Sequence, residues 1–356
     1  MEEIFLNGAS FANNFGDILF FQIFSDVVKE SGKQPTMYSK NELIMNQLPN
    51  VKFYNNRRQA ITNANKIAYV GGGYLGEQPS SSYIKKLRWG ISNIKKVQIF
   101  GLLGLIYRKP VGIFGAGGGQ VSNPVTKLLI RKIVGIANPV IVRDEQTKRE
   151  FTGLPNFENI QVSVDTILGI KRIMNDIIPE ERPNIILHLT DSPDHDKYSK
   201  LIWENVSQFL RENPSYSCTV VTDHFGGGQA RSYEYFRELS LRAKNLEAYK
   251  HSDNKKLIEL ISKSEYVITN KLHVGIVGIS FNKKVISIPN HPKVSNIFSQ
   301  LGISNNLIRK TELKEKALFQ KMVEIRNESY ILDSHVESMA ISNLEKFNRF
   351  IHGEMI

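Results

Sequence analysis

Tyr266-Val267-Ile268-Thr269 runs into Asn270-Lys271-Leu272-His273 and on through Val274-Gly275-Ile276-Val277-Gly278-Ile279-Ser280. The first four residues are too few for a helix and rich in β-branched side chains, so they read as a strand buried on both faces. Val274 to Ser280 reads as a helix, and Gly275 and Gly278 allow it to lie close to the sheet. A doubly buried strand that hands over to a helix is the unit of a parallel sheet covered on both sides. The corner between them gathers the Lys271 ammonium, the His273 imidazole and the unpaired amides of a helix N-terminus. Such a point is an anion site with a proton donor inside it.

The same alternation extends outward in both directions. Ile4 to Leu6, Ile67 to Val70, Val111 to Phe114 and Val140 to Val142 read as strands, with Ile18 to Glu30 and Lys127 to Ile136 as helices between some of them. Two of these strands end in glycine clusters, Gly71-Gly72-Gly73 and Gly115-Ala116-Gly117-Gly118-Gly119, where backbone amides can approach an anion or a sugar closely. Neither cluster has the dinucleotide spacing followed by a ribose-binding acid. Around Gly169 to Pro183 the periodicity lapses, with Pro179 and Pro183 bracketing Glu180-Glu181-Arg182. It then restarts with strands at Asn184 to Leu189, Tyr216 to Thr222, Leu246 to Tyr249 and Lys284 to Pro289. Helices at Asp194 to Glu212, Arg231 to Asn245 and Asp253 to Lys263 separate them. The expected fold is α/β with two Rossmann-like domains, 1–170 and 183–311, followed by a charged helical tail, 312–356. That layout is the GT-B-type architecture, with the active site expected in the interdomain cleft.

A chain of 356 residues exceeds the size at which one core usually stops growing, which agrees with two domains. No segment approaches the ~18 consecutive apolar residues of a membrane span, and the acidic start Met1-Glu2-Glu3 is unlike a signal peptide, so a cytoplasmic location is expected. Cys218 stands alone in a strand-like run, which excludes an intramolecular disulfide and any cysteine-based zinc site. The net charge of +11 is unevenly placed. Gln78 to Arg143 contains eleven basic residues and no acid, while the other 35 basic residues balance the 35 acidic ones. Within that block Ile84 to Tyr107 mixes cations with Leu87, Trp89, Ile91 and Phe100. Cations beside large apolar groups resemble an element that lies on an anionic membrane, and an amphipathic helix pair with a solvated basic face is the alternative. No nucleic-acid motif accompanies the charge.

His273 is the first candidate for acid or base work, because an imidazole titrates near neutral pH. Asp17, in Asn13-Asn14-Phe15-Gly16-Asp17, reads either as a helix cap or as a polar contact after the first strand. Arg143 closes the strand Val140-Ile141-Val142 and can present a bidentate guanidinium. Asp165, His291-Pro292-Lys293 and Asp223-His224-Phe225-Gly226-Gly227-Gly228 also follow strands. An inventory rich in Arg, Lys and His suits a small, multiply charged anion. The acidic run Asp191 to Asp196 reads as a solvated loop, not as the paired carboxylates of a glycoside hydrolase, and neither a nucleophile elbow nor a Walker loop is present.

Taken in order, Asn14-Phe15-Gly16-Asp17, Gly71-Gly72-Gly73-Tyr74-Leu75, Gly115-Ala116-Gly117, Val142-Arg143-Asp144-Glu145-Gln146-Thr147, Asp165, Lys271-Leu272-His273 and Pro292-Lys293 resemble the polysaccharide pyruvyl transferase family. The resemblance spans residues 4 to 303. It implies transfer of the enolpyruvyl unit of phosphoenolpyruvate to a sugar of a cell-surface polysaccharide precursor, closing a pyruvate ketal across two hydroxyls. It further implies that Arg143, Lys271 and Lys293 hold the donor, that His273 protonates its methylene carbon, and that Asp17 stands near the acceptor as base or hydroxyl partner. Asn14, Gly72, Gly73 and Gly117 join them as substrate contacts. The scheme needs no metal and no cofactor beyond phosphoenolpyruvate as substrate, and the acceptor is a free or lipid-linked saccharide. The family usually has Arg-Leu-His where this chain has Lys271-Leu272-His273, and lysine keeps the charge without the planar fork. The second domain also lacks an arginine after its first strand, where Leu187-His188-Leu189-Thr190 stands. The other readings are a GT-B glycosyltransferase with a nucleotide-sugar donor and a non-catalytic sugar-binding protein of the capsule machinery.

Overall fold

The computed structural model describes residues 1–9, 13–77, 82–190, 195–224, 231–241 and 245–354, without the side chains of His195, Asp196 and Ser232. The chain forms two units, Met1–Gly169 together with Ser334–Ile356, and Ile170–Asp333.

The first unit carries β1 (Glu3–Asn7), β2 (Gln34–Tyr38), β3 (Lys52–Tyr54), β4 (Lys66–Val70), β5 (Val111–Ala116), β6 (Val140–Val142) and β7 (Ile160–Val162). They pair in the order β3-β2-β1-β4-β5-β6-β7, and every pairing is parallel. The second unit holds β8 (Asn184–His188), β9 (Ser217–Val221), β10 (Leu246–Tyr249), β11 (Tyr266–Thr269) and β12 (Lys284–Ser287). Their order is β10-β9-β8-β11-β12, again all parallel. In both sheets the order turns back on itself, between β1 and β4 and between β8 and β11. Open doubly wound sheets bind ligands outside the carboxyl ends of the strands at this reversal.

The apolar strands β1, β4, β5, β8 and β11 form as their composition requires, with Ile67, Phe114, Leu187 and Ile268 fully buried. β2 and β3 carry no apolar run: Gln34 and Pro35 interrupt one, and the other has three residues. The Leu272–Ser280 helix lies on the sheet as its glycines allow. A Cβ on Gly278 would stand 2.9 Å from Val285 and 3.1 Å from Val267. Asp253 caps the Asn254–Lys263 helix, its side chain accepting from the Lys255 amide. Cys218 is buried in β9 and unbonded, and burial pushes its thiol up.

The basic block folds as the Tyr83–Asn93 helix, a wide turn at Ile94–Gln98 and the Ile99–Ile106 helix. Widening a helix frees a carbonyl from the regular ladder, and here the Val97 oxygen accepts from the Asn7 amide at 3.0 Å and the Tyr69 hydroxyl at 3.3 Å.

The expected separate tail, 312–356, is corrected by the structure, because its two helices go to different units. The Ala317–Glu324 helix buries Leu318 and Met322 in the core of the second unit. The Ser334–His352 helix returns to the first, where Phe347 stands edge-on to Phe24 and Phe114, with ring centroids 4.9 and 5.1 Å away. An amphipathic helix has to bury its apolar stripe against some core, and each of these finds a different one. Asn343 adds a buried amide donating to the Val164 carbonyl at 3.0 Å. Phe347→Ala should therefore destabilise the first unit by about 3–5 kcal/mol, the usual loss for a buried phenylalanine. In urea denaturation the transition of the first unit should move and that of the second should stay in place.

Candidate active site

In the first unit the candidate residues collect at the carboxyl ends of β1, β4, β5 and β6. Arg143 follows β6, and its backbone amide donates to the Ala116 carbonyl at 3.2 Å. Its guanidinium is buried, with Nε 3.5 Å from Asp144 and Nη1 3.5 Å from the fully buried Asp165. The second Asp165 oxygen accepts from the Ile167 amide at 3.1 Å. Gly117 is where the room for Arg143 comes from: a Cβ there would stand 2.2 Å from Nε. The Gly117 amide donates to the Gly72 carbonyl at 2.7 Å, and a Cβ on Gly73 would stand 3.8 Å from Nη2 of Arg143. The two glycine clusters thus form one floor under the guanidinium. Arg143 is neither a surface ion pair nor an open guanidinium, since two carboxylates flank it.

Asn14, not Asp17, caps the Phe15–Glu30 helix. Its carbonyl accepts from the Asp17 amide at 3.0 Å while its amide donates to the Asp17 carboxylate at 2.5 Å. This reciprocal pair fixes a half-buried carboxylate in the first helical turn beside β1. Tyr74 stands between the two groups in chemistry, and sequence reasoning did not assign it a role. Its ring packs over Gly72, where a Cβ would come within 3.1 Å. It is only 3 % exposed, and its hydroxyl has no hydrogen-bond partner among the described residues. Burial raises its pKa well above that of a free phenol. Tyr69 and Asp17 push the same way, and Arg143 opposes them. The available signal was a polar aromatic directly after three glycines.

In the second unit the site forms at the β8/β11 reversal. Lys271 has extended backbone and precedes the first residue of the Leu272–Ser280 helix, so His273 lies in the first turn, half-buried. Asn270 ties the corner to the end of β8: its side chain accepts from the Thr190 amide at 2.9 Å and donates to the Thr190 carbonyl at 3.0 Å. Lys271 is ion-paired. Its Nζ lies 2.7 Å from Asp223, which follows β9. The other Asp223 oxygen is 3.3 Å from Nε2 of His188 and 3.6 Å from Nδ1 of His224. Nδ1 of His188 meets the Thr269 hydroxyl at 3.0 Å.

Burial by itself would raise the Asp223 pKa. The Lys271 ammonium, then His188 and His224, outweigh it and hold the carboxyl well below the usual range. Burial lowers His224, and it lowers His251 to about 4 despite the nearby Asp223 and a hydrogen bond with Asn254. His251, absent from the sequence reading, is attached to the end of β9 through its backbone amide, 2.8 Å from the Thr222 hydroxyl. Beyond β12, His291 caps the Pro292–Gln300 helix by accepting the Lys293 amide at 3.1 Å, and Lys293 itself is exposed. Because β12 is the parallel neighbour of β11, this turn follows the same carboxyl end of the sheet as Lys271. Asp191 to Asp194 and Phe225 to Gly228 lie outside the described residues.

A model of the family described as polysaccharide pyruvyl transferase matches residues 14–292, over three quarters of the chain and every motif from Asn14 to Pro292. The chain belongs to the polysaccharide pyruvyl transferase family. No curated protein matches it at a significant level. Solved structures match it across almost its whole length. Staphylococcus aureus MnaA, in a co-structure with UDP, is 11 % identical with a TM-score of 0.65 over 100 % of this chain and 99 % of that one. The UDP-GlcNAc 2-epimerase of Neisseria meningitidis is 9 % identical, with a TM-score of 0.60 over 98 % and 99 %. Anabaena HepE, in complex with UDP and glucose, is 11 % identical, with a TM-score of 0.52 over 99 % and 98 %. At this identity the likeness speaks for the GT-B-type fold of two Rossmann-like domains, as the two sheet orders also do.

The depressed histidines set a pH dependence. A folded-state pKa of about 4 at His251, against an ordinary 6.5, means that the unfolded chain takes up this proton first on acidification. Its stabilising contribution is complete above 6.5 and is lost as the pH falls towards about 4. Urea midpoints of the second unit should decline across that window, and His251→Gln should decline less steeply, keeping only the smaller loss from His224. Asp223 should add its own loss at lower pH, because its carboxylate is protonated only below the usual range.

Proposed function

We propose that the protein transfers the enolpyruvyl unit of phosphoenolpyruvate to two hydroxyls of a saccharide, forming a pyruvate ketal and releasing inorganic phosphate. The observation that carries this reading is the corner of the second sheet. There an imidazole, His273, sits in the first turn of a helix whose preceding residue, Lys271, is held in place by a buried carboxylate.

The donor carries a carboxylate and a phosphate, and the second unit offers two ammonium groups at the carboxyl end of one sheet, Lys271 and Lys293, beside the amides of a helix N-terminus. His273 protonates the methylene carbon, which leaves positive charge on the carbon bearing the phosphate. A saccharide hydroxyl adds to that carbon and loses its proton. The bond from the carbon to the phosphate oxygen then breaks, phosphate leaves with the electron pair, and a second hydroxyl adds to the same carbon and gives up its proton, closing the ketal. Fixed cations beside the departing phosphate stabilise charge that grows during this step. Lys271 serves as a point charge directed by Asp223, which the planar fork of an arginine does not need to supply.

The first unit supplies acceptor contacts. Asp17, fixed by Asn14, accepts from a sugar hydroxyl. Arg143, already flanked by Asp144 and Asp165, acts less as a free anion clamp than as the charge that keeps this carboxylate-lined floor near neutrality.

The assay is phosphate release from phosphoenolpyruvate in the presence of a lipid-linked oligosaccharide. A nucleotide-sugar transferase would instead release nucleoside diphosphate, and a binding protein would release neither. His273→Ala should reduce phosphate release by ~10²-fold or more, the scale of a general acid, with an unchanged circular-dichroism melt.

Lys271 gives a separate test. Lys271→Ala strands the buried Asp223 carboxylate, so it should lower the stability of the second unit as well as raise the donor KM. Lys271→Arg retains the ion pair and should restore stability and most of the donor affinity. Wild-type kinetics in Lys271→Ala would remove the donor from this corner.

A further inference from the structure

The acid-free block builds a surface on two helices that carry none of the residues proposed for transfer. The Tyr83–Asn93 and Pro124–Ile136 helices lie side by side in the first unit, so close at Gly90 that a Cβ there would stand 2.7 Å from the Thr126 hydroxyl. The Pro124–Ile136 helix buries Ile130, Ile133 and Val134 against the core. Its other face shows Val125 and Leu128, and the neighbouring helix shows Ile84, Leu87 and Ile91 at helical spacing. These five side chains are 37 to 67 % exposed. Cations alternate with them on the same helices. Lys85, Arg88, Lys127 and Lys132 are exposed and make no ion pair among the described residues. Lys86 differs, since Glu77, just before the block, holds it at 3.3 Å.

Large aliphatic groups left in water among unpaired cations have a physical cost that a folded monomer ordinarily avoids. We propose that this two-helix face docks on an anionic lipid surface, with the aliphatic side chains entering the headgroup boundary and the lysines and arginine meeting lipid phosphates and carboxylates. The mode is interfacial, because among the described residues no helix is long and apolar enough to cross a membrane. A second copy of the chain is disfavoured as occupant, because it would bring like charges together. Nucleic acid accounts for the cations but leaves the aliphatic residues unused, as single strands stack on aromatic rings. The proposal does not rest on the chemistry assigned to the site.

The test is sedimentation of the full chain with phosphatidylcholine vesicles, with and without phosphatidylserine. Wild type should pellet with the mixed vesicles, remain in the supernatant with phosphatidylcholine alone, and lose binding as salt rises. Lys85→Glu/Arg88→Glu/Lys127→Glu should reduce the partition coefficient at least ~100-fold, since each basic residue near an anionic surface contributes strongly. Ile84→Ser/Leu128→Ser should weaken binding while leaving it salt-sensitive. All five positions are exposed, so melts should match wild type. Failure of wild type to pellet with phosphatidylserine, or equal pelleting of the charge-reversed variant, overturns the proposal. So does concentration-dependent dimerisation in analytical ultracentrifugation that the Ile84→Ser/Leu128→Ser variant abolishes, which would assign the face to a second copy.

Discussion

Asp223 is a charged group that the second unit cannot bury by itself. Taking a carboxylate out of water is expensive unless cations and donors surround it, and three elements supply them: Lys271 from the end of β11, His188 from β8, and the adjacent His224. The requirement works in both directions. Because the carboxylate must be matched, the ammonium is oriented, the His188 ring is held between Asp223 and Thr269, and the end of β11 is anchored to the end of β8. The helix that begins at Leu272 therefore starts from a fixed point, and His273 inherits that position. The catalytic proposal depends on this buried charge more than on any feature of His273.

The first unit solves a similar problem with different parts. A guanidinium replaces the ammonium, two carboxylates replace one, and the space comes from the absence of a side chain at Gly117. In each unit one cation that follows a strand is paired with a buried carboxylate, Lys271 with Asp223 and Arg143 with Asp165.

The sheet centres and the strand-to-helix corner were legible because burial on both faces writes a continuous apolar run, as in Tyr266 to Thr269, and because Asp253 is a capping residue at its helix start. β2 and β3 were not, since partnering by neighbouring strands, rather than their own composition, makes Gln34–Tyr38 and Lys52–Tyr54 extended. The pairing of Lys271 with Asp223 crosses 48 residues and depends on the strand order, which no local pattern encodes. The same holds for the Ser334–His352 helix. Its amphipathic spacing announces a helix, but the ring pair Phe24 and Phe114 that receives Phe347 lies more than two hundred residues earlier. Tyr74 was visible as a letter and invisible as a site, because an unsatisfied buried hydroxyl is a property of packing.

Proton delivery to the donor carbon is the central chemical claim, and isotope placement reads it directly. The enzyme, phosphoenolpyruvate and a lipid-linked oligosaccharide would be incubated in deuterated water and the product fragmented by mass spectrometry. The account predicts a saccharide heavier by pyruvate less water, carrying one solvent-derived deuterium in the ketal methyl group. A ketal with no deuterium in that methyl, or a saccharide that gains no pyruvyl unit while phosphoenolpyruvate is present, would contradict it.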